Sequence, residues 1–491
     1  MVPERFKSVL AELEPLTERF RSAGKWLYLV GGSVRDLLTN TPRESSDFDA
    51  TTDALPDEIK RCLDGWADAI WTQGERFGTI GARKGGRLYE ITTHRAEVYT
   101  GDSRKPEVSF AGSSGSIETD LSRRDFTVNA MALELTSGTP TLVDPFGGAA
   151  DLATGTLRTP LSPEISFSDD PLRMLRAARF LAGHQLQPVP ELVEAVHMMH
   201  SRLEIVSAER IRDELDKLII VEHPAAGLSF LVDTGLADEF LPELPGMRLE
   251  QDPIHRHKDV LAHTLAVVEN VTRDLAADFD FRRTRLAALL HDVGKPRTRG
   301  YVKGKGVTFH HHEVVGARMA RARLQALRYS NDDVDAITEL VALHLRFHGY
   351  EAGWTDSAVR RYVVDAGPYL AELNVLTRCD CTTRNERKAA MLSRRMDELE
   401  QRITELQAKE ELGAIRPEMD GSEVMAHLGL APGPAVGKAM RFLLGVRMEE
   451  GLLGAPTIRK RLDQWWAQET PGGVIERQRP LRAERTDRKD A

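Results

Sequence analysis

At 491 residues the chain is too long for one ordinary domain, and three or four compact units are expected. Its 41% hydrophobic and 29% charged residues are those of a soluble globular protein, and the lack of any apolar run of membrane-span length excludes an integral membrane protein. The formal net charge of −9 argues against a general nucleic-acid binder unless basic groups are gathered locally, and three cysteines (Cys62, Cys379, Cys381) are too few for a disulfide framework and fit a reducing cytoplasm.

The first sixteen residues read as a charged amphipathic stretch rather than a signal peptide. Residues 24–135 alternate short strands and helices. Trp26–Val30 is an apolar strand, Gly31-Gly32 a turn and Ser33–Leu38 the start of a helix. Phe48 lies in a second strand, and Glu75–Arg83 with Arg87–Thr93 form a hairpin across Lys84–Gly86. The Gly-, Ser-, Lys- and Arg-rich residues 100–118 read as a mobile loop. From about 165 onward the spacing of apolar residues predicts helices, including a His-rich block over 250–385 and a charged helix at about 386–411. Pro417–Gly421 opens a last helical unit, and the charged tail after Trp466 is predicted to be disordered.

Asp47 and Asp49 flank Phe48 on a strand, so both carboxylates share one face while Phe48 points to the core. Two close carboxylates repel unless a cation sits between them, and Mg²⁺ takes carboxylate and phosphate oxygens. The plain alternative is a solvated strand end. Upstream, Gly31-Gly32 before a helix N-terminus suits a phosphate, and Arg35 is placed to add a charge-assisted contact. Downstream, Glu90 stands between apolar neighbours on a strand and either completes the acidic set or pairs with Arg95.

Asp169-Asp170-Pro171 opens a helix whose polar stripe carries Asp170, Arg173, Arg176 and Arg179. A carboxylate and a guanidinium on one face can accept from an exocyclic amine and donate to a ring nitrogen, the pattern that cytosine and adenine share. The plain alternative is a capped helix with exposed arginines. Further on, His263, His291-Asp292, His310 to His312, His344 and Asp380 form a set of imidazoles and carboxylates suited to a transition metal. Cys379 and Cys381 have no second pair nearby, and buried thiols are preferred to a zinc site.

Gly31-Gly32, then Asp47-x-Asp49, then Glu90 resembles the polymerase β nucleotidyltransferase superfamily. Arg123 to Met131, Asp144 to Gly148 with Asp151-Leu152, Asp169 to Arg176 and Glu209 to Leu215 resemble the successive motifs of class II CCA-adding tRNA nucleotidyltransferases and bacterial poly(A) polymerases. The resemblance implies Mg²⁺ at Asp47 and Asp49, with Gly31, Gly32, Arg35, Arg124 and Asp125 around the nucleotide and Asp170 and Arg173 reading its base. It also implies that the Glu209–Leu215 segment braces that reading helix. His263, His291, Asp292 and Asp380 match the HD phosphohydrolase superfamily, and His312 (or His311) and His344 match the extra ligands of its two-metal members. Asp420 to Glu423 and Leu428 to Lys438 resemble the family's tail, where glycine-led helix starts meet either RNA phosphate or only one another.

The expected architecture is α+β: a mixed-sheet head (1–150), a helical neck (151–248), an HD body (249–385) and a helical tail (386–491). The expected activity is Mg²⁺-dependent addition of CCA to tRNA from CTP and ATP, with a divalent transition metal at the HD site and no membrane or protein partner. The rivals are a poly(A) polymerase or A-only enzyme, an HD phosphohydrolase with a relic head, and an RNA-binding scaffold.

Overall fold

A computed structural model describes residues 4–39, 47–97, 108–110, 116–249, 259–303, 306–349, 354–382, 385–410, 412 and 415–469, with 95–97 and 108–110 as backbone alone. The loop expected at 100–118 therefore lies mostly outside the described residues; 108–110 pair as a strand with 95–97, and a helix begins at Ile117. The tail expected after Trp466 is helical to Glu469, and the rest lies outside the described residues. By its internal contacts the chain divides into one unit of Met1–Arg273 with Phe281–Thr338 and another of Asp274–Asp280 with Glu339–Ala491.

The first unit is built on a seven-stranded mixed sheet. Its strands are β1 (Leu27–Val30), β2 (Phe48–Thr52), β3 (Ala69–Trp71), β4 (Thr79–Lys84), β5 (Arg87–Thr93), β8 (Ala132–Glu134) and β9 (Thr141–Val143), in the order β3-β4-β5-β2-β1-β8-β9; β6 (Arg95–Glu97) and β7 (Val108–Phe110) form a separate pair. Within the seven-stranded sheet only the β2–β5 pairing is parallel. β1 reads Leu-Tyr-Leu-Val with every side chain buried, because both its faces are covered. Leu27 and Leu29 join the main core with Phe48, Ala50 and the N-terminal helix Glu4–Ser22, while Tyr28 and Val30 meet Ile117, Leu121 and Ala132 on the opposite face. The β4–β5 hairpin turns at Gly85-Gly86, and Glu75–Phe77, expected within its first strand, is a separate short turn.

After the sheet the unit is helical. Leu172–Gly183, Ala208–Ile219 and Ala225–Asp233 pack on one another, followed by Val260–Asn270, Phe281–Leu290 and His312–Ala326. A two-stranded ribbon, Arg299–Val302 with Gly306–Phe309, interrupts the helices where the sequence reading placed an all-helical block. Arg285 organises this region although it is almost completely buried. Its guanidinium donates to the carbonyls of Val271 (2.9 Å), Ile219 (2.8 Å), Val221 and Glu222 (3.1 Å), and it lies over the Phe281 ring. These carbonyls lie at and just beyond the C-terminal ends of two helices, where oxygens lack intrahelical partners and a positive charge suits the helix dipole.

The second unit is helical throughout its described residues outside connecting turns. Glu410, buried, accepts from Arg360 Nε (2.9 Å) and from Arg447, so one carboxylate joins two buried guanidiniums. The last three helices close on Val424, Leu443, Ile458 and Leu462, with Trp465 stacked on Phe442. Asp420 and Glu423 form a reciprocal cap and Gly429 ends that helix left-handed, so this segment carries the glycine-capped packing unit that was one of its two readings. Cys379 is buried, and burial pushes the half-buried Cys381 thiol up, as the buried-thiol reading expected. Among the described residues no helix is long and apolar enough to cross a membrane.

Arg285→Met is expected to strand several carbonyls and to cost about 3–5 kcal/mol. Urea denaturation followed by circular dichroism checks this; an unchanged first midpoint would contradict the role given to Arg285.

Candidate active site

The sheet register fixes the acidic cluster. Asp49 is directly opposite Glu90 on the parallel β2–β5 pair, and Asp47, two residues back, falls on the same side. Phe48 and Tyr89 point the other way and pack with ring centroids 5.5 Å apart. The three carboxylates thus face away from the main core. Desolvation, then the charges of Asp49 and Asp47, push the Glu90 carboxyl above its usual range. The Arg95 side chain, the other partner expected for Glu90, lies outside the described residues.

Gly31 follows β1 with φ +67°, a left-handed conformation that costs glycine nothing. A Cβ there would lie 2.9 Å from Arg124 Nη1 and 3.9 Å from Asp49 Oδ2, so the glycine lets a guanidinium and an aspartate converge on the strand end. Arg124 reaches Asp120 at only 3.4 Å, and its buried Nε has no hydrogen-bond partner among the described residues. A crowded carboxylate set beside an unsatisfied guanidinium N–H suits a cation and a polyphosphate together. Arg35 is held by Asp36 (2.8 Å) and by Asn129 (2.7 Å), a partner with no local signal in the residues around either position.

Asp125 sits on the neck side of the same turn and is enclosed. It accepts from the Phe126 backbone N–H (2.9 Å), Asn129 Nδ2 (3.0 Å) and Arg176 Nε (2.9 Å). Burial pushes its carboxyl up, yet the charge of Arg176 and these hydrogen bonds hold it below the usual range. Arg176 also approaches Glu214 (3.5 Å), and Arg179 donates to Glu214 at 2.8 Å. Arg176 and Arg179 are therefore half-buried and paired, which overturns the exposed-arginine alternative.

Asp170 and Arg173 flank the start of the helix Leu172–Gly183. Asp170 accepts from the Leu172 N–H (3.1 Å) and from Arg210 Nη2 (2.8 Å). Arg173 donates to the Ser166 carbonyl (3.2 Å), to Ser166 Oγ (3.0 Å) and to the Arg123 carbonyl. The two groups do not pair with each other; each is held by protein. The Glu209–Leu215 segment braces them as expected, Arg210 through Asp170 and Glu214 through Arg176 and Arg179.

A second cluster lies in the same unit. His291 Nε2 is 3.2 Å from Asp292 Oδ2 and 3.4 Å from His263 Nε2, and His312 Nε2 is 3.3 Å from Asp292 Oδ1. His291 Nδ1 donates to the Ala288 carbonyl (2.8 Å) and His312 Nδ1 to that of Phe309 (2.7 Å). Both Nε2 atoms thus face the Asp292 carboxylate, and imidazole nitrogens gathered around a carboxylate are a set that can hold a metal ion. Burial pushes the Asp292 carboxyl up, but His291, His312 and Lys295 hold it well below the usual range. Gly294 permits the assembly: a Cβ there would stand 2.2 Å from the His312 carbonyl. His311 is largely exposed, with φ +61°, so His312 is the member of the triplet that joins the cluster. His344 and Asp380 belong to the second unit. There His344 is buried and donates its Nδ1–H to the Val341 carbonyl (2.7 Å), and Asp380 ends the helix Leu370–Asp380.

Family models agree with this construction. Residues 27–158 match the poly(A) polymerase head domain, 186–247 a probable RNA- and SrmB-binding site of polymerase A, and 260–404 the HD domain. The first two describe an RNA-polymerising transferase head with its RNA-binding neck. An A-adding tRNA nucleotidyltransferase of Deinococcus radiodurans is 35% identical over 454 residues, which is 90% of this chain and 96% of that protein. The chain belongs to the family of tRNA nucleotidyltransferases and poly(A) polymerases. A CCA-adding enzyme of Lactobacillus johnsonii is 38% identical over 248 residues, 50% of this chain and 57% of its own length. In fold, the chain is similar to the Bacillus stearothermophilus CCA-adding enzyme in complex with CTP, with TM-score 0.68 and 23% identity over 95% of this chain and 99% of that one.

Glu214→Gln leaves Arg176 and Arg179 short of their shared counter-charge and is expected to cost about 3 kcal/mol at pH 7. The Glu214 carboxyl, which burial pushes up, is held below its ordinary value by Arg179, Arg176 and Lys217. Its stabilisation is therefore complete above the unfolded carboxylate pKa and lost as pH falls through the lower folded one. Chemical denaturation at several pH values should show a constant gap between wild type and variant from pH 8 to 5 that narrows below about 4.

Proposed function

We propose that this protein builds or repairs the 3′-terminal CCA of tRNA from CTP and ATP, in Mg²⁺-dependent steps that release pyrophosphate. The observation that carries the reading is one continuous arrangement: an outward-facing acidic set, a glycine turn with an unsatisfied arginine, and the braced Asp170–Arg173 pair. Mg²⁺ would be held by Asp47 and Asp49 with Glu90 beside them, and when bound it supplies charge neutralisation at the phosphates and a more acidic attacking hydroxyl. The Gly31-Gly32 turn offers backbone N–H groups to the triphosphate, and Arg124 offers its unpartnered Nε. The RNA 3′-hydroxyl attacks the α-phosphate in line and the bond to pyrophosphate breaks. Asp125 acts through Arg176, orienting the reading helix against the head.

Base choice falls to Asp170 and Arg173. An incoming cytosine or adenine offers its amine to Asp170 and its ring nitrogen to Arg173, exchanging for Arg210, Ser166 and the Arg123 carbonyl. Uracil and guanine present the opposite pattern, and each mismatch leaves a buried group unpaired at roughly 1–3 kcal/mol. One observation favours a second reading, addition of the terminal A alone. The relative matching 90% of this chain is an A-adding enzyme, whereas the CCA-adding enzyme of L. johnsonii matches 50% of it.

The His263, His291, Asp292 and His312 cluster fits a divalent transition metal and the hydrolysis of phosphate esters at RNA ends. Three free cysteines and this RNA chemistry suit a cytoplasmic protein.

Asp49→Ala is expected to lower nucleotide addition on the order of 10³-fold, equivalent to about 4 kcal/mol, and to leave any phosphoesterase activity intact. His291→Ala with Asp292→Ala should do the reverse. Addition assays with radiolabelled nucleotide and phosphate release on the same preparations check both; loss of both activities in a folded single-site variant would sink the two-site account.

A further inference from the structure

The chain carries a formal charge of −9, yet the 19 residues from Gly294 to His312 contain five lysines and arginines and no acid. This segment is the ribbon of Arg299–Val302 and Gly306–Phe309 with its two roots. One root is the short helix Lys295–Thr298, which leaves directly from His291-Asp292, and the other runs through His310 and His311 into His312. Both ends of the ribbon are therefore tied covalently to the His/Asp cluster.

The strand Arg299–Val302 is exposed on both faces, with Tyr301 65% exposed. Its partner strand Gly306–Phe309 is partly buried and packs against Lys295–Thr298, so Arg299–Val302 is the ribbon's open strand. Arg297, Arg299 and Lys303 are exposed, and no carboxylate among the described residues pairs with any of them. Arg176, Arg282 and Arg323 in the same unit, by contrast, have acidic partners. Unpaired cations on an extended strand beside an exposed tyrosine supply the two elements that hold single-stranded nucleic acid: charges along the backbone and a platform on which a base stacks.

We propose that this ribbon is a clamp for the single-stranded 3′ end of RNA, gripping its phosphates through Arg297, Arg299 and Lys303 and stacking one base on Tyr301, so that the terminal phosphate is delivered to the His/Asp cluster. Four residues of strand span on the order of 13 Å, the reach of about two nucleotides. The proposal rests on reading the cluster as a hydrolase of RNA ends, and it deepens that reading by naming the ribbon as the element that holds a single-stranded 3′ end.

The test uses the full chain and a single-stranded RNA octamer that carries a 3′-phosphate and a photoreactive base next to its end. Irradiation should place adducts on the peptide that contains Tyr301. Arg299→Glu with Lys303→Glu should weaken octamer binding at least tenfold and flatten its salt dependence, by about 0.7 in slope for each phosphate no longer neutralised. Tyr301→Ala should weaken it roughly tenfold and Tyr301→Phe should restore it. Hydrolysis of the octamer should show a raised KM, while kcat on bis(p-nitrophenyl) phosphate stays at the wild-type value. Absence of ribbon adducts, or wild-type binding by the charge-reversed variant, would overturn the clamp. Ribbon adducts in a protein that hydrolyses neither substrate would support the clamp and overturn the hydrolytic reading of the cluster.

Discussion

The head and neck are joined by a half-buried guanidinium. Arg176 lies between Asp125, beside the phosphate turn, and Glu214, on the bracing helix, and Arg179 shares Glu214 from the other side. Buried charges are costly unless each is paired, so removing one strands the others. The same charges fix the helix Leu172–Gly183 against the sheet, and that helix carries the groups assigned to base choice. Distances between the acidic set and the reading pair are therefore set by an electrostatic joint rather than by apolar packing alone. A reading pair that drifted by an ångström would lose the geometry on which discrimination depends.

The two clusters of the first unit share a physical logic. In the head, three carboxylates project into one region, where burial and the charges of Asp49 and Asp47 raise the proton affinity of Glu90. In the helical part, one imidazole nitrogen stands 3.2 Å and another 3.3 Å from the two oxygens of the Asp292 carboxylate. Each gathers side chains of a kind that can hold a cation. The donor sets differ as the chemistries differ: oxygen for a hard ion beside phosphates, nitrogen with oxygen for a transition metal.

Much of this was legible in the residues. The period of two around Phe48 placed Asp47 and Asp49 on one face, and the apolar spacing after residue 165 gave the helices. The His and Asp types named the second cluster, but choosing His312 over His311 needed the left-handed turn at His311. What stayed hidden were contacts between distant positions. Nothing local announces that Asn129 holds Arg35, that Ser166 and the Arg123 carbonyl hold Arg173, or that Arg285 gathers four carbonyls. The ribbon at 299–309 was missed because its apolar residues are few and its strands are short, so the helical neighbourhood prevailed.

The central claim is that fixed protein side chains, in a head built for nucleotidyl transfer, choose C and A for the end of a tRNA. The most direct measurement supplies the purified protein with Mg²⁺ and each nucleoside triphosphate in turn. The acceptors are a tRNA lacking its whole CCA end, one lacking only the terminal A, and an unrelated RNA. The account predicts C, C and A in order on the first tRNA, A alone on the second, rejection of UTP and GTP, and no extension of the unrelated RNA. Open-ended A addition to any RNA, or equal use of all four nucleotides, would contradict it.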